Sequence, residues 1–154
     1  MLDIYVDADA CPVKQEIFKV ARRYDLKVIL VANSWMRVPA SSWLDLVVVD
    51  KGADVADDWI VEKVTADDIV ISGDIPLASR CLKKGALVLG NTGRPFTTDN
   101  IGDVLSLRNL LTDLREQGVM TKGPKPFAKK DRSRFLQALD QMIVGVRRKN
   151  GIRS

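Results

Sequence analysis

The chain has 154 residues, of which 46% are hydrophobic, a length and composition that predict one globular domain. It contains no histidine and two cysteines, Cys11 and Cys81. These counts exclude catalytic triads that need histidine and a structural zinc site with four Cys or His ligands, so any catalysis must depend on carboxylates, Lys, Arg, hydroxyl groups or an oxygen-bound metal.

Charge is unevenly distributed along the chain, although the net charge is only +4. From Thr121 onward there are ten Lys and Arg residues against two acids, and the preceding part carries 14 basic and 18 acidic residues. We therefore predict a single domain over 1–154 in which 119–154 is a basic extension packed on a more acidic body. This asymmetry suits a polyanionic ligand together with a cation.

Neither a membrane span nor a signal peptide is expected. No apolar run approaches the roughly 20 residues that cross a bilayer, and the N-terminus carries Asp3 and Asp7 but no basic segment. We expect a cytoplasmic protein with no membrane partner, and the sequence does not predict its oligomeric state.

The first predicted element is a short buried strand over Ile4–Val6, which ends in two carboxylates, Asp7 and Asp9. Pro12 is expected to open a helix that continues to Tyr24, because proline suits the first turn of a helix. Two close carboxylates repel, so either the pKa of one of them is raised or the two share a cation. Alternatively, Asp9 only caps the helix and Asp7 is a solvated turn residue.

Strands and helices then alternate along most of the chain, which predicts an α/β fold of three layers with a mostly parallel five-stranded sheet. The remaining strands are predicted at 27–32, 46–49, 68–71 and 86–89. Helices are predicted from 54 to about 64, from 75 to about 84, from 100 to about 117 and over the apolar stripe 135–146, after a basic loop at 119–131. The segment 35–43 is predicted to be a loop whose aromatic residues, Trp35 and Trp43, anchor it or stack on bases.

Polar side chains follow each predicted strand. In a parallel sheet the carboxyl ends share one edge, so we expect four carboxylates to converge there: Asp7, Asp9, Asp54 and Asp74. Oxygen ligands of this kind suit Mg²⁺ or Mn²⁺. Such ions can activate water and clamp a phosphodiester without any histidine. Turns also favour aspartate, so each residue alone is weaker evidence than the set.

Several other residues are candidates for binding substrate, each with a structural alternative. Lys14 either neutralises a phosphate or pairs with a surface carboxylate. Ser72 either bonds a metal-bound water or caps its turn, and the segment 90–94 either cradles a phosphate or is an ordinary turn. The basic extension either binds a nucleic-acid backbone or is solvated. The predicted contacts are Lys14, Asn33, Ser72, Asn91, Thr92, Arg94, Lys125, Arg132 and Arg134.

Four motifs resemble the YaiI/YqxD family of uncharacterised bacterial proteins: Val6–Lys14, Ser72–Ala78, Gly90–Thr97 and Lys125–Phe135. The segments Lys51–Asp54 and Ser72–Asp74 are more distantly similar to the metal-dependent NYN and PIN nucleases. That similarity implies a sheet order of 3-2-1-4-5 and an acidic ribonuclease-type pocket containing Asp7, Asp54 and Asp74. The chain departs from the NYN pattern because Pro76 stands where a further acid often lies.

Three functions are compatible with these residues. The first is a metal-dependent nuclease, with RNA favoured over single-stranded DNA. The second is a phosphatase similar to the haloacid dehalogenases, with Asp7 as nucleophile and Asp9 as acid, although Cys11 occupies the position of the usual hydroxyl. The third is a nucleic-acid-binding module without activity, which Pro76 favours.

Overall fold

The computed structural model describes residues 2–52, 54–102 and 127–150. A six-stranded sheet forms its centre, in the order β3-β2-β1-β4-β5-β6. The strands are β1 (Asp3–Asp7), β2 (Lys27–Ala32), β3 (Leu44–Val48), β4 (Ile69–Ile71), β5 (Leu87–Leu89) and β6 (Pro95–Phe96).

The first five strands are parallel, which confirms the predicted fold class and the order of those strands. β6 adds a short antiparallel strand, in which Phe96 pairs with Val88 and Pro95 with Leu89. The sequence predicts a loop here because two residues are too few to show a strand's alternating pattern.

The helices are α1 (Lys14–Arg23), α2 (Val55–Lys63), α3 (Ile75–Lys83) and α4 (Lys129–Lys149), with a short 3-10 helix at Ala8–Ala10. The prediction that Pro12 opens the first helix is wrong, because α1 begins two residues later and Pro12 lies in the turn before it. α3 is closed as predicted, with Gly85 in the left-handed conformation at φ 87°. Within the described ranges, no helix has the length and apolar character needed to cross a membrane.

Alternating residues of the strands point to opposite faces of the sheet and build two apolar cores. On one face, residues such as Ile4 and Val6 pack with α1 and α4; on the other, Tyr5 and Ile29 pack with α2 and α3. The sheet therefore lies between two helical layers.

α4 docks on α1 through an apolar face that contains Phe135, Leu139 and Ile143, all fully buried. Asp140 fixes the contact, since its Oδ1 accepts hydrogen bonds from Arg23 Nη1 and Tyr24 Oη, each at 2.8 Å. The apolar stripe predicted for the last helix is confirmed. The predicted helix over 100–117, apart from its first residues, and most of the predicted basic loop, including Lys125, lie outside the described residues.

Candidate acidic site at the carboxyl ends of the strands

Asp7 and Ser72 meet because of the register between β1 and β4. Val6 pairs with Ile71, so the next residues of the two parallel strands, Asp7 and Ser72, lie side by side. Ser72 Oγ donates a hydrogen bond of 3.1 Å to Asp7 Oδ2, and Ser72 is buried. The sequence prediction that Asp7 and the Ser72 segment converge is thus realised through a direct bond.

Asp74 is joined to the same pair through Ser72. Its backbone N–H donates to Ser72 Oγ at 2.9 Å, so the hydroxyl links the backbone of Asp74 to the carboxylate of Asp7. Asp74 is also the N-cap of α3, because its Oδ1 accepts a 3.0 Å bond from the N–H of Leu77. One carboxylate oxygen is thus used for capping.

Asp9 lies at the β2 side of the site and is exposed. Its Oδ2 accepts a 2.8 Å hydrogen bond from the backbone N–H of Asn33, the residue that follows β2. Asp9 therefore holds the β1 and β2 ends together and does not cap α1, whose N-cap is Val13. The alternative of a simple capping aspartate is wrong.

α2 brings two further carboxylates to this edge. Asp54 precedes the helix in the left-handed conformation, at φ 66°, and is exposed. Asp57, in the first turn of the helix, is partly buried and close enough to Asp7, Asp54 and Asp74 for their charges to raise its pKa. Asp58 pairs with Arg80 of α3 at 2.8 Å, and the charges of Asp57 and Asp54 also act on that arginine.

Asp57 is the residue that the sequence prediction missed. The signal was present, since Asp54, Asp57 and Asp58 have a spacing that predicts a common helix face. The predicted site includes Asp54 but neither Asp57 nor Asp58. The charges of all three carboxylates act on Arg80, which agrees with the predicted common face.

The acids of the site repel one another in the folded chain. The pKa of Asp57 rises from 3.8 to about 6, chiefly because of burial and then because of the negative charges of Asp74, Asp7 and Asp54; Arg80 opposes the rise. Burial likewise raises the pKa of Asp7, with contributions from Asp74 and Asp9, and its bond from Ser72 opposes this rise. Among the described residues, Arg80 is the cation that lowers the pKa of Asp57, and its effect is smaller than that of burial and of the neighbouring acids.

These side chains fit a hard divalent cation by their chemistry. The donors are carboxylate and hydroxyl oxygens, which Mg²⁺ and Mn²⁺ prefer. Burial, and then the charges of neighbouring acids, raises the pKa of Asp7 and of Asp57. In the parts of the chain that the structure describes, however, no three Cys, Asp or Glu side chains are grouped closely enough to hold a metal as they stand. Binding a cation would therefore require rotation of these side chains.

The segment 90–94 forms a tight turn that joins β5 to β6. Gly90 N–H donates to the carbonyl of Arg94 at 2.9 Å, and Gly93 N–H donates to the carbonyl of Gly90 at 3.0 Å. Asn91 lies beside the acidic site, since a Cβ built on Gly73 would be 3.6 Å from Asn91 Nδ2. Thr92 and Arg94 are exposed, so they are accessible to a ligand even though the turn itself serves the hairpin.

The start of α4 lies against this turn and against the start of α1. Gly93 has φ 86°, and a Cβ there would be 2.8 Å from the carbonyl oxygen of Arg134, so the contact requires glycine. Arg132 donates from Nη1 to the Pro12 carbonyl at 2.6 Å and pairs with Glu16 at 3.3 Å. Arg132 therefore holds α4 in place, whereas Arg134 is exposed and makes no ion pair with the described residues.

Lys14 and Cys11 lie together at the start of α1. Lys14 is partly buried, and its positive charge lowers the pKa of Cys11. The side-chain charges that act on Asp7 are those of Asp74 and Asp9, which raise its pKa. Burial raises the pKa of the Cys11 thiol, as expected for a packed thiol that is not a nucleophile. Cys11 also supplies no hydroxyl two residues after Asp9, which the phosphatase hypothesis would need.

A separate cleft of about 380 Å³ lies at the other edge of the sheet and includes Asp67, Asp68 and Arg147. Asp68 is buried and accepts bonds from the N–H groups of Asp3 and Thr65, and Arg147 donates to the carbonyl of Tyr24. These side chains serve to join segments of the fold, so the cleft does not compete with the acidic site as a place for chemistry.

Comparison with known proteins identifies relatives over nearly the whole chain. A family model described as "Uncharacterized BCR, YaiI/YqxD family" matches residues 5–145. A "UPF0178 protein" of Caulobacter sp. (strain K31) is 54% identical over 148 residues, covering 96% of this chain and 98% of the relative. A second, of Paramagnetospirillum magneticum, is 55% identical over 148 residues, with the same two coverages. No solved structure matches the chain significantly.

Proposed function

The chain belongs to the YaiI/YqxD family, whose name states no activity, and from the site itself we propose that it is a cytoplasmic metal-dependent nuclease that hydrolyses phosphodiester bonds, with RNA as the favoured substrate. The observation that carries this proposal is the set of neighbouring carboxylates at the carboxyl ends of β1 and β4 and the start of α2, whose charges act on one another. A surplus of buried negative charge is costly unless a cation shares it.

Asp7, Asp74 and Asp57 would hold Mg²⁺ or Mn²⁺, with Asp54 and Asp9 at the margin. When bound, the ion would activate water as a nucleophile at neutral pH, and its positive charge would also stabilise the negative charge that develops on the phosphodiester during an in-line displacement. Ser72 orients the Asp7 carboxylate through its 3.1 Å bond. The cap at α3 and the bond from Asn33 hold Asp74 and Asp9 in position.

Basic side chains near this edge would hold the polyanion. Arg134 is exposed next to the Gly93 turn, and Arg94 is exposed on that turn. Lys129 and Lys130 are exposed at the beginning of α4. Neutralising several phosphates with such residues gives affinity that falls with salt, so we expect RNA binding to weaken as the salt concentration rises.

A second candidate is an RNA-binding module without nuclease activity. It is favoured by the spacing of the described carboxylates, which do not form a ready three-ligand group. This candidate predicts the same salt-dependent binding but no cleavage. The phosphatase alternative stays a prediction, and its test is capture of a phosphoryl group on Asp7.

The experiment is cleavage of a labelled RNA with Mg²⁺ or Mn²⁺, comparing the natural chain with Asp7→Asn and Asp74→Asn. We expect metal-dependent cleavage that each substitution slows by about a hundredfold or more, since metal catalysis contributes several kcal/mol. Asp67→Asn is the matched control. Asp67 pairs with Lys149 near the amino ends of the strands, away from the acidic site, and asparagine tolerates its left-handed backbone at φ 72°. Cleavage that survives both site substitutions would refute the mechanism, and binding without cleavage would support the second candidate.

A further inference from the structure

The loop that follows β2 presents one aromatic side chain to solvent. Trp35 is 74% exposed, which is unusual for so large an apolar surface. Trp43, at the other end of the loop, packs edge-on against Phe18 with ring centroids 5.5 Å apart, and Arg22 lies over its ring at 5.8 Å. The structure therefore separates two residues that the sequence treats alike: Trp43 anchors the loop, and Trp35 does not.

The exposure of Trp35 is imposed by the packing of its neighbours. Met36 and Val38 are partly buried and pack against the core that α1 and α4 share with the sheet. Trp35 and Arg37 alternate with them and are exposed. Because the inward residues tie the segment to the core, the outward indole and guanidinium are displayed from a supported backbone.

Trp35 lies in the segment that follows β2, three residues after the last residue of that strand. It follows Asn33 by two residues, and the N–H of Asn33 donates to the Asp9 carboxylate at 2.8 Å. An exposed aromatic ring and an exposed cation therefore lie within four residues of a backbone N–H that bonds to an acid of the site. Arg37 forms no ion pair with the described part of the chain, so its charge is available to a ligand.

We propose that Trp35 stacks on an unpaired base of a single-stranded nucleic acid whose phosphodiester lies at the acidic site, and that Arg37 contacts a neighbouring phosphate. This inference rests on the proposed function and narrows its substrate class to unpaired strands. Base-paired strands keep their base faces stacked inside the helix, whereas a single strand offers them to an aromatic side chain.

A nucleic acid fits this surface better than a protein partner does. One exposed ring beside a cation provides little apolar area for a protein interface. Stacking on aromatic side chains together with cationic contacts to the backbone is the usual way of binding single strands without sequence preference. The alternative, in which Trp35 is an interface with a second copy of the chain, is an outcome of the test.

The test measures binding of a fluorescent single-stranded RNA by anisotropy. All proteins carry Asp74→Asn so that the probe is not cleaved. We expect Trp35→Ala to weaken binding by about 5- to 100-fold, the equivalent of one stacked base, and Trp35→Phe to weaken it less. Trp43→Phe is the aromatic control and should leave affinity unchanged. With a probe that contains abasic nucleotides, Trp35→Ala should no longer matter.

Three results would overturn the inference. These are equal affinity of Trp35→Ala and its parent, an equal loss for fully double-stranded RNA, and a dimer in sedimentation that Trp35→Ala dissociates without change in RNA binding. If one of these three results is obtained and the natural chain still cleaves RNA with a metal ion, the proposed function stands and only the role of Trp35 is refuted. Absence of RNA binding by the natural chain would instead refute both.

Discussion

Replacing Asp57 with Asn should stabilise the folded chain at neutral pH, because burial and then the neighbouring carboxylates disfavour the charged form of Asp57. The pKa of Asp57 rises from 3.8 to about 6 on folding. Each pKa unit corresponds to about 1.4 kcal/mol, so the upper limit of the gain is about 3 kcal/mol. Asp57 is partly exposed and lies in the first turn of α2, where the helix dipole favours an acid, so we expect a gain of about 1–2 kcal/mol.

The gain should depend on pH in a defined direction. A raised pKa in the folded state means that the folded chain binds more protons than the unfolded chain between pH 4 and 6, so charging Asp57 costs stability as the pH rises through that window. The natural chain and Asp57→Asn should therefore be equally stable below about pH 4 and should diverge up to about pH 6. Urea denaturation in the presence of a chelator, followed by circular dichroism, measures this difference.

Asp58→Asn is the matched control for Asp57→Asn. Asp58 is the next residue of the same helical turn, but it is exposed and pairs with Arg80, so its replacement should cost between zero and about 1 kcal/mol at neutral pH. If Asp57→Asn destabilises the chain, or if its effect is the same at pH 3.5 and pH 7.5, burial and the neighbouring carboxylates do not disfavour the charge of Asp57, and the reasoning is wrong. With Mg²⁺ added, the natural chain should gain more stability than Asp57→Asn, because it retains the ligand.

Five further substitutions, one of them a control, test the contacts around the site. Ser72→Ala removes a buried hydroxyl that makes two hydrogen bonds, so it should lower the free energy of unfolding by about 1–3 kcal/mol in urea titrations. Gly93→Ala should lower the free energy of unfolding by about 2 kcal/mol or more in the same assay, because a Cβ would lie 2.8 Å from the Arg134 carbonyl oxygen. Gly145→Ala in α4 is the control: a Cβ there has no neighbouring atom within 4 Å, so this change should be neutral or stabilising. Arg134→Ala should leave stability unchanged and reduce the salt slope of RNA binding by about one. Arg132→Ala should instead reduce stability, because the hydrogen bond to the Pro12 carbonyl is lost. The reverse pattern would show that the roles of the two arginines are assigned wrongly.

The sequence predicted the parts of the fold that depend on local pattern. The second strand, Lys27–Ala32, is predicted with its observed bounds because a run of buried residues bounded by polar ones is unambiguous. The convergence of Asp7 and Ser72 follows from parallel strands alone. The antiparallel strand Pro95–Phe96 was not predicted, because its pairing depends on the turn at 90–94 and on contact with β5.

Tertiary contacts decide the rest, and no spacing rule contains them. Asp57 and Asp58 are adjacent in the sequence, but only Asp58 forms an ion pair with Arg80 of α3. Asp57 lies among the carboxylates of the site, whose charges raise its pKa. Arg132 resembles a solvated basic residue, but docking of α4 gives it the carbonyl of Pro12 as a partner. The different surroundings of Trp35 and Trp43 likewise depend on which of them reaches Phe18.

The most direct test of the central claim is titration of the purified chain with Mn²⁺, followed by electron paramagnetic resonance of the free ion. We predict saturable binding that is lost or at least tenfold weaker in Asp7→Asn and Asp74→Asn and unchanged in Asp67→Asn, whose carboxylate lies at the opposite edge of the sheet. Binding that is absent in the natural chain, or that persists undiminished in both site variants, would contradict the claim that these carboxylates share a divalent cation.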